Sequence, residues 1–509
     1  MQNTLQTLIV IIYALNVSFL LLVGLHAYLA CYQFYQGKKR RRFDDASLAD
    51  ESLPDLLVQL PVYNEQSSVE ELLDCINRTE YPEEKLKVQI LDDSDDETTR
   101  VIENYLHSRP LKFRFDHIRR VERVGFKAGA LKAGLELDQS PFIAIFDADF
   151  RPLPDFLRRA AAKLANQPDL GLIQGRWDYT NESSNFWTRF QAVGMDGHFA
   201  IEQPARAWND YFMNFNGTAG IWRRKAILDA GNWQGDTLTE DLDLSYRAQL
   251  AGWKLDYALE LPCPSEIPES VFAFKSQQFR WAKGSIQTFF KLFPKILKSS
   301  ATFMQKIEAA FHLTHYLIHP LLVVNFLIGC YILSHPEMLL NFPLEILFVL
   351  ILIASAGPSV LYQFSQKSLG KSVPGGPFFY LLMISLGCGM AWNNTRAVWQ
   401  AIRRVESPFI RTPKLGNFSK IYLPIKNLQF LVEFGLGLVG AYSLFHATTG
   451  FAFLVPFITL YTVGFLLISL GSLREWIQSL GFEKIRSPWD STTSLAPERA
   501  KNEPARNQL

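Results

Sequence analysis

From Leu5 to Tyr32 the chain carries no Asp, Glu, Lys or Arg, and it then places Lys38, Lys39, Arg40, Arg41 and Arg42 in a row. An uncharged apolar stretch of this length can cross the ~30 Å of a bilayer's hydrocarbon as one helix. A cleaved leader carries its positive charge ahead of a shorter apolar stretch. Here the charge follows, so residues 1–37 read as a retained transmembrane helix with its basic end in the cytoplasm.

Apolar runs return after residue 300. His312–Leu333, Leu344–Tyr362, Leu428–His446 and Phe451–Leu470 are each about 20 residues, enough to span. Phe378–Trp392 is also apolar, but it continues into the basic, amphipathic NNTRAVWQAIRR. Were it to cross, the loop 396–426 with its seven Lys and Arg would lie outside, against the positive-inside tendency. Residues 377–405 are therefore expected as an interfacial helix, with a sixth span as the alternative. The expectation is five spans, an outer N-terminus, a membrane unit over 301–472 and a cytoplasmic tail over 473–509. Glu433 stands inside a span, where a charge is costly and often marks a pathway; the alternative is a carboxylate wet at the interface.

Residues 38–300 have the composition of a soluble unit, ending in a surface helix over 281–297. Short apolar runs (Leu56–Pro61, Lys87–Ser94, Pro141–Phe150) alternate with helical stretches (Val69–Arg78, Lys127–Leu137). That alternation predicts an α/β fold, a mainly parallel sheet faced by helices, in which ligands bind beyond the carboxyl ends of the strands. With 51 basic and 50 acidic residues, the chain lacks the cationic excess of a nucleic-acid binder. Its five cysteines show no C-x-x-C spacing, so neither a zinc site nor a disulfide framework is indicated.

Four constellations in this unit can carry chemistry. Asp92-Asp93 ends a strand and could accept hydrogen bonds from a ribose or base, or simply cap a turn. Asp147-Ala148-Asp149 delivers two carboxylates to a sheet edge, suited to Mg²⁺ or Mn²⁺ on a substrate phosphate, or to a capped turn. Thr239-Glu240-Asp241 opens a helix, as an N-cap or as a general base. Gln277-Gln278-Phe279-Arg280-Trp281 offers a guanidinium for a phosphate and a flat ring for a sugar, or an interfacial Trp-Arg pair.

In this order the constellations resemble family 2 glycosyltransferases of the processive polysaccharide-synthase type. The wording is closest to the cellulose-synthase-like A group, the (gluco)mannan synthases. The stretches that carry the resemblance are VQLPVYNE (58–65), LDDSDD (91–96), RVGFKAGALKAG (123–134), IFDADF (145–150), QGRWDYTNE (174–182), FNGTAGIWRR (215–224), TEDLDLSYRAQLAGWK (239–254) and QQFRWAKG (277–284). The resemblance implies a GT-A-type, Rossmann-like domain. Asp92 and Asp93, with Tyr63 and Glu65, would bind the donor nucleoside, and Lys127 the diphosphate. Asp147 and Asp149 would hold the metal, and Asp241 would be the base. Gln277 and Arg280 would frame the diphosphate. Trp281, Glu240, Phe215, Asn216, Gly217 and Thr218 would meet the acceptor. Phe409-Ile410-Arg411-Thr412-Pro413-Lys414 resembles the Phe-x-Val-Thr-x-Lys gating loop of bacterial cellulose synthase, within a loop over 406–425, although Arg411 replaces the Val. Phe409, Thr412 and Lys414 would then lie over the donor site.

The function implied is inverting transfer of a hexose from a nucleotide sugar, GDP-mannose or UDP-glucose, to a growing β-glycan that is translocated as it grows. The alternatives are a glycolipid synthase acting on a membrane lipid and a non-enzymatic subunit. The expected partners are a nucleotide-sugar donor, a glycan or lipid acceptor and the bilayer, with no nucleic acid. The expected location is the bacterial inner membrane with the catalytic domain cytoplasmic. Nothing in the sequence sets an oligomeric state.

Overall fold

The computed structural model describes residues 2–41, 48–335, 344–372, 376–406, 428–447 and 454–479. The gating-like Phe409, Thr412 and Lys414, and the tail from residue 480, lie outside the described residues. The chain begins with the long helix α1 (Gln2–Arg40) and then enters the α/β unit.

Seven strands form one sheet: β1 (Leu56–Val62), β2 (Leu86–Asp92), β3 (Arg114–Arg119), β4 (Phe142–Ile145), β5 (Leu170–Tyr179), β6 (Gly220–Arg223) and β7 (Lys254–Ser265), in spatial order β3-β2-β1-β4-β6-β5-β7. The neighbours β1–β2, β2–β3, β1–β4 and β5–β7 pair in parallel, while β6 runs antiparallel to both β4 and β5. The sheet is thus mixed and mostly parallel. The reversal of β6 matters for the site: Ile145 at the end of β4 pairs with Gly220 at the start of β6. The segment leading into β6 therefore arrives at the edge where β1, β2 and β4 end.

Helices α2 (Val69–Asn77), α3 (Thr98–Ser108) and α5 (Phe156–Ala165) cover one face, and α4 (Phe126–Glu136), α8 (Arg224–Asp229) and α9 (Glu240–Leu250) the other; α6 (Phe186–Gly197) and α7 (Gln203–Ala207) lie beyond the sheet, toward α1 and the later helices. The residues dictate this arrangement. In β1, Leu56, Val58, Leu60 and Val62 face the first layer and Leu57 the second, so the strand is apolar on both sides, as a central parallel strand must be. In α2, Val69, Leu72, Leu73 and Ile76 fall at helical spacing and form its buried stripe.

The rest is helical: α10 (Val271–Lys298), α11 (Phe303–Thr314), α12 (Ile318–Ser334), α13 (Leu344–Ser368), α14 (Gly376–Gly389), α15 (Ala391–Ile402), α16 (Gln429–Phe445) and α17 (Val455–Ser479). Among the described residues, Gln6–Arg40, Phe303–Ser334, Phe348–Ser368 and Val455–Gln478 are long and apolar enough to cross a membrane, and the apolar Gln429–Phe445 is shorter. Over residues 377–405 there are two helices rather than one: apolar α14 packs along α17, and amphipathic α15 packs on α10. The side chain of Glu433 is fully buried and its Oε2 lies 2.6 Å from Lys275 Nζ, so the charge inside the apolar run is an ion pair with α10 rather than a wet or channel-facing carboxylate.

Candidate active site

Parallel strands bring their ends together. Beyond β1, β2 and β4 lies a cleft of about 210 Å³, lined by Tyr63, Glu65, Asp93, Lys127, Asp147, Asp149, Asn216, Gly217, Glu240, Asp241, Gln277, Arg280 and Trp281 among others. Residues from seven separate stretches of chain thus share one cavity, and most of the residues singled out from the sequence are there.

Three are not. Asp92 is turned inward, 1% exposed. Its carboxylate accepts from the Ser94 amide at 2.9 Å and the Thr99 hydroxyl at 2.7 Å, and lies 3.0 Å from His117 Nε2. Burial raises its pKa, but these hydrogen bonds outweigh that and hold it at about 2. It therefore fixes the turn after β2 and does not line the cleft. Phe215 is fully buried, edge-on to Trp222 in the core. Thr218 is buried too, and its hydroxyl accepts the Asp147 amide at 2.9 Å, so it holds the turn after β4 and does not line the cleft.

Asp93 does face the cleft, and Arg120 grips it with both ends of the guanidinium, Nε at 3.0 Å and Nη2 at 2.5 Å. The Arg123 guanidinium lies over the Tyr63 ring, 3.2 Å from its centre, a cation–π contact at the β1 side of the cleft. Neither arginine was singled out from the sequence, nor were Trp177 and Glu266, which also line the cleft. Arg123 and Trp177 do lie within the stretches RVGFKAGALKAG and QGRWDYTNE, so the signal was present without a role attached to it.

The middle of the cleft is a knot of charge. Lys127 Nζ donates to Asp147 Oδ1 at 2.5 Å and to the Gly217 carbonyl at 2.8 Å. Gly217 has φ +81°, and a Cβ there would meet Asp241 Oδ2 at 2.9 Å and Lys127 Nζ at 3.3 Å, so glycine is needed both for the turn and for the close approach. Asp241 stands at the first turn of α9. That helix is stitched to the strand-like segment before β6: the Ser245 hydroxyl donates to the Asp241 carbonyl at 2.6 Å and accepts the Phe215 amide at 2.8 Å. On the other side α10 presses close, because a Cβ at Gly284 would fall 2.5 Å from Thr239.

Burial, then the neighbouring Glu240, raises the Asp241 carboxyl to about 7 against the opposing pull of Lys127. Glu240 is raised likewise, first by burial. Burial pulls the Lys127 ammonium down, but Asp147, Glu240 and Asp241 more than offset it, leaving its pKa above the ordinary lysine value. Asp147 and Asp149 supply two hard oxygen donors at one strand end. No third His, Cys, Asp or Glu joins them in a metal-holding cluster among the described residues. That set fits Mg²⁺ or Mn²⁺, which takes one or two carboxylates and completes its shell from phosphate and water.

The family model described as glycosyl transferase family group 2 matches residues 142–360. Glucomannan 4-beta-mannosyltransferase 2 of Arabidopsis thaliana is 39% identical over 272 residues, 51% of this chain and 51% of that relative, so the chain spans about half its length. Probable glucomannan 4-beta-mannosyltransferase 9 of Oryza sativa subsp. japonica is 32% identical over 395 residues, 75% of this chain and 73% of that relative. Among solved structures, mannosyltransferase PcManGT from Pyrobaculum calidifontis, in complex with GDP-Man and Mn2+, is 18% identical with a TM-score of 0.44, covering 76% of this chain and 100% of that one. With a family model over residues 142–360, from β4 onward, and a relative matched over most of its length, the chain belongs to glycosyltransferase family 2.

Proposed function

We propose that the chain is an inverting β-hexosyltransferase of the membrane, taking a hexose from a nucleotide sugar and adding it to a growing β-glycan. One observation carries the reading: a carboxyl raised to about 7, Asp241, lies in the same cleft as the cations Lys127 and Arg280 and the ring of Trp281. Such a carboxylate can take the acceptor's hydroxyl proton at near-neutral pH. The names of the relatives favour mannose and a β-1,4 linkage, hence GDP-mannose over UDP-glucose as donor.

In the proposed step the acceptor oxygen bonds to the anomeric carbon from the face opposite the diphosphate. The bond from that carbon to the phosphate oxygen breaks, and the hydroxyl proton passes to Asp241. Arg280 and Lys127 stand where the leaving diphosphate gathers charge, and fixed cations there stabilise the transition state. Tyr63 and Glu65, with Asp93 oriented by Arg120, would hold the nucleoside. Gln277 would frame the diphosphate. Trp281, Glu240, Asn216 and Gly217 would meet the acceptor. Asp147 and Asp149 would hold a divalent cation, which when bound neutralises diphosphate charge. The catalytic unit would sit at the cytoplasmic face of its membrane, in a bacterium the inner one. The polymer would leave between the apolar helices as it grows, with Phe409, Thr412 and Lys414 gating the donor side.

The test is a donor panel on purified membranes with Mg²⁺, Mn²⁺ or a chelator. Alcohol-insoluble product from GDP-mannose, lost on chelation, is expected. Organic-soluble product would instead point to the glycolipid reading, and no transfer from any donor would overturn both.

A further inference from the structure

Two carboxylates outside the cleft take no part in the chemistry above, and both hold α10. Glu475, on α17, receives the first amides of that helix. Val271 N–H donates to its Oε1 at 2.6 Å, Phe272 N–H to its Oε2 at 3.1 Å, and the Ser270 hydroxyl to its Oε2 at 2.7 Å. Ser270 Oγ in turn accepts the Ala273 amide at 3.3 Å. The first N–H groups of a helix have no partner within it, and negative charge at that end is favourable. The cap that local sequence usually provides is completed here by a membrane-side helix.

One turn on, Lys275 Nζ donates to Glu433 Oε2 of α16 at 2.6 Å, with the two side chains 6% and 0% exposed. Lys275 Nζ also reaches Ser472 Oγ of α17 at 3.5 Å, and its carbonyl accepts Asn393 Nδ2 of α15 at 3.0 Å. At 3.6 residues per turn, Gln277, Arg280 and Trp281 stand about 200°, 140° and 240° around the axis from Lys275. The anchored face of α10 is therefore the one opposite the cleft.

We infer that Glu475 and Glu433 are positioning residues for the transfer: through α10 they set where Gln277, Arg280 and Trp281 stand against the diphosphate and the acceptor. The inference rests on the transferase reading of the cleft. It has a mechanical consequence, because a shift of α16 or α17 is passed to the site through hydrogen-bonded charge rather than through a loop.

The experiment uses the full chain in detergent or nanodiscs, with kcat and KM for sugar transfer and the Kd of the nucleoside diphosphate measured well below Tm. Glu475→Ala and the double variant Lys275→Met/Glu433→Leu, which removes both members of the buried pair together, are each expected to lower kcat about tenfold, since sub-ångström to ångström misplacement costs rate before affinity. The Kd is expected to weaken less than kcat falls, because Gln277 and Arg280 shift against the diphosphate while Tyr63 and Asp93, just past β1 and β2, are touched by neither variant. Glu475→Gln keeps one acceptor oxygen and should recover part of the loss. If Glu475 acts through Arg280, its effect combined with Arg280→Lys will be less than multiplicative. A wild-type kcat in folded Glu475→Ala and in the double variant overturns the inference and leaves the proposed function standing; so does full multiplicativity with Arg280→Lys. If Glu475→Ala does not fold, the double variant decides alone. A wild-type chain that transfers nothing overturns the proposed function, and the inference with it.

Discussion

Lys127–Asp147 and Lys275–Glu433 are the same pair by chemistry and nearly by length, 2.5 and 2.6 Å, but their surroundings differ. The first lies open in the cleft, with side chains 19% and 34% exposed, and Glu240 and Asp241 crowd the same ammonium. The second is 6% and 0% exposed and closed between helices. In the cleft acid outnumbers base locally; burial, and then Glu240, pushes the Asp241 carboxyl toward neutrality, and the site can receive both a cation and a proton. Under α10 the charges match: Lys275 pairs with Glu433, and the next nearest, Arg396 and Glu475, are one of each sign, so nothing is left over for chemistry. A local surplus of one charge marks the working site; a balanced, buried pair marks a joint.

That contrast can be broken first at Asp241. Asp241→Asn removes the surplus carboxylate while keeping its shape. Turnover is expected to fall by about 10³-fold or more, with nucleoside-diphosphate binding by calorimetry little changed. Undiminished turnover would make the surplus incidental. The joint is tested by Glu433→Gln, which strands the Lys275 ammonium in a dry site and should cost about 3–5 kcal/mol of stability in a denaturation series. The apolar double replacement of both partners should return close to the wild-type midpoint, and a Glu433→Gln protein as stable as wild type would show that the pair is not closed. Lys127→Met sharpens the other side. It takes a fixed cation from beside the leaving diphosphate, and kcat/KM should fall by about 10²-fold with fold stability largely kept.

The sequence could be read as far as its patterns are local. The runs ending at Asp92 and Ile145 announced parallel strands, and the topology that follows places their ends on one edge; the cleft residues from Tyr63 to Trp281 were legible for that reason. Asp92 and Asp93 show the limit. They are adjacent in sequence and equal in chemistry, yet one faces His117 inside and the other Arg120 at the cleft, a difference set by β3 and the loop after it. Phe215 and Thr218 sit in a matching stretch, but in the segment that leads into the reversed strand β6 their side chains are buried in the core. Glu433 looked like a pathway residue because its cation lies 158 residues away, on a helix no periodicity links to it. The break between α14 and α15 is similar, since an apolar and an amphipathic segment joined at Met390 read as one helix until their separate packing partners are known.

The smallest effect, and the most specific, is in pH. Burial and Glu240 raise the free-enzyme Asp241 carboxyl to about 7, above its ordinary carboxylate value. A base must be ionised to act, so kcat/KM should rise about tenfold per pH unit below that value and level off above it. In Asp241→Asn the residual rate should lose this limb. The stability effect runs the other way. A carboxyl whose pKa is higher folded than unfolded adds stability that is fully present below the unfolded value near 3.8 and is lost as pH rises through about 7. Above pH 7 the ionised Asp241 is therefore a burden on the fold, and Asp241→Asn should melt higher than wild type there while the two converge under acid. An inactive variant that is also the more stable one at high pH would mark Asp241 as held in a strained ionisation state for its work. Equal melting curves at every pH would mean that the charge around Lys127 is already balanced, and the contrast with the joint under α10 would lose its basis.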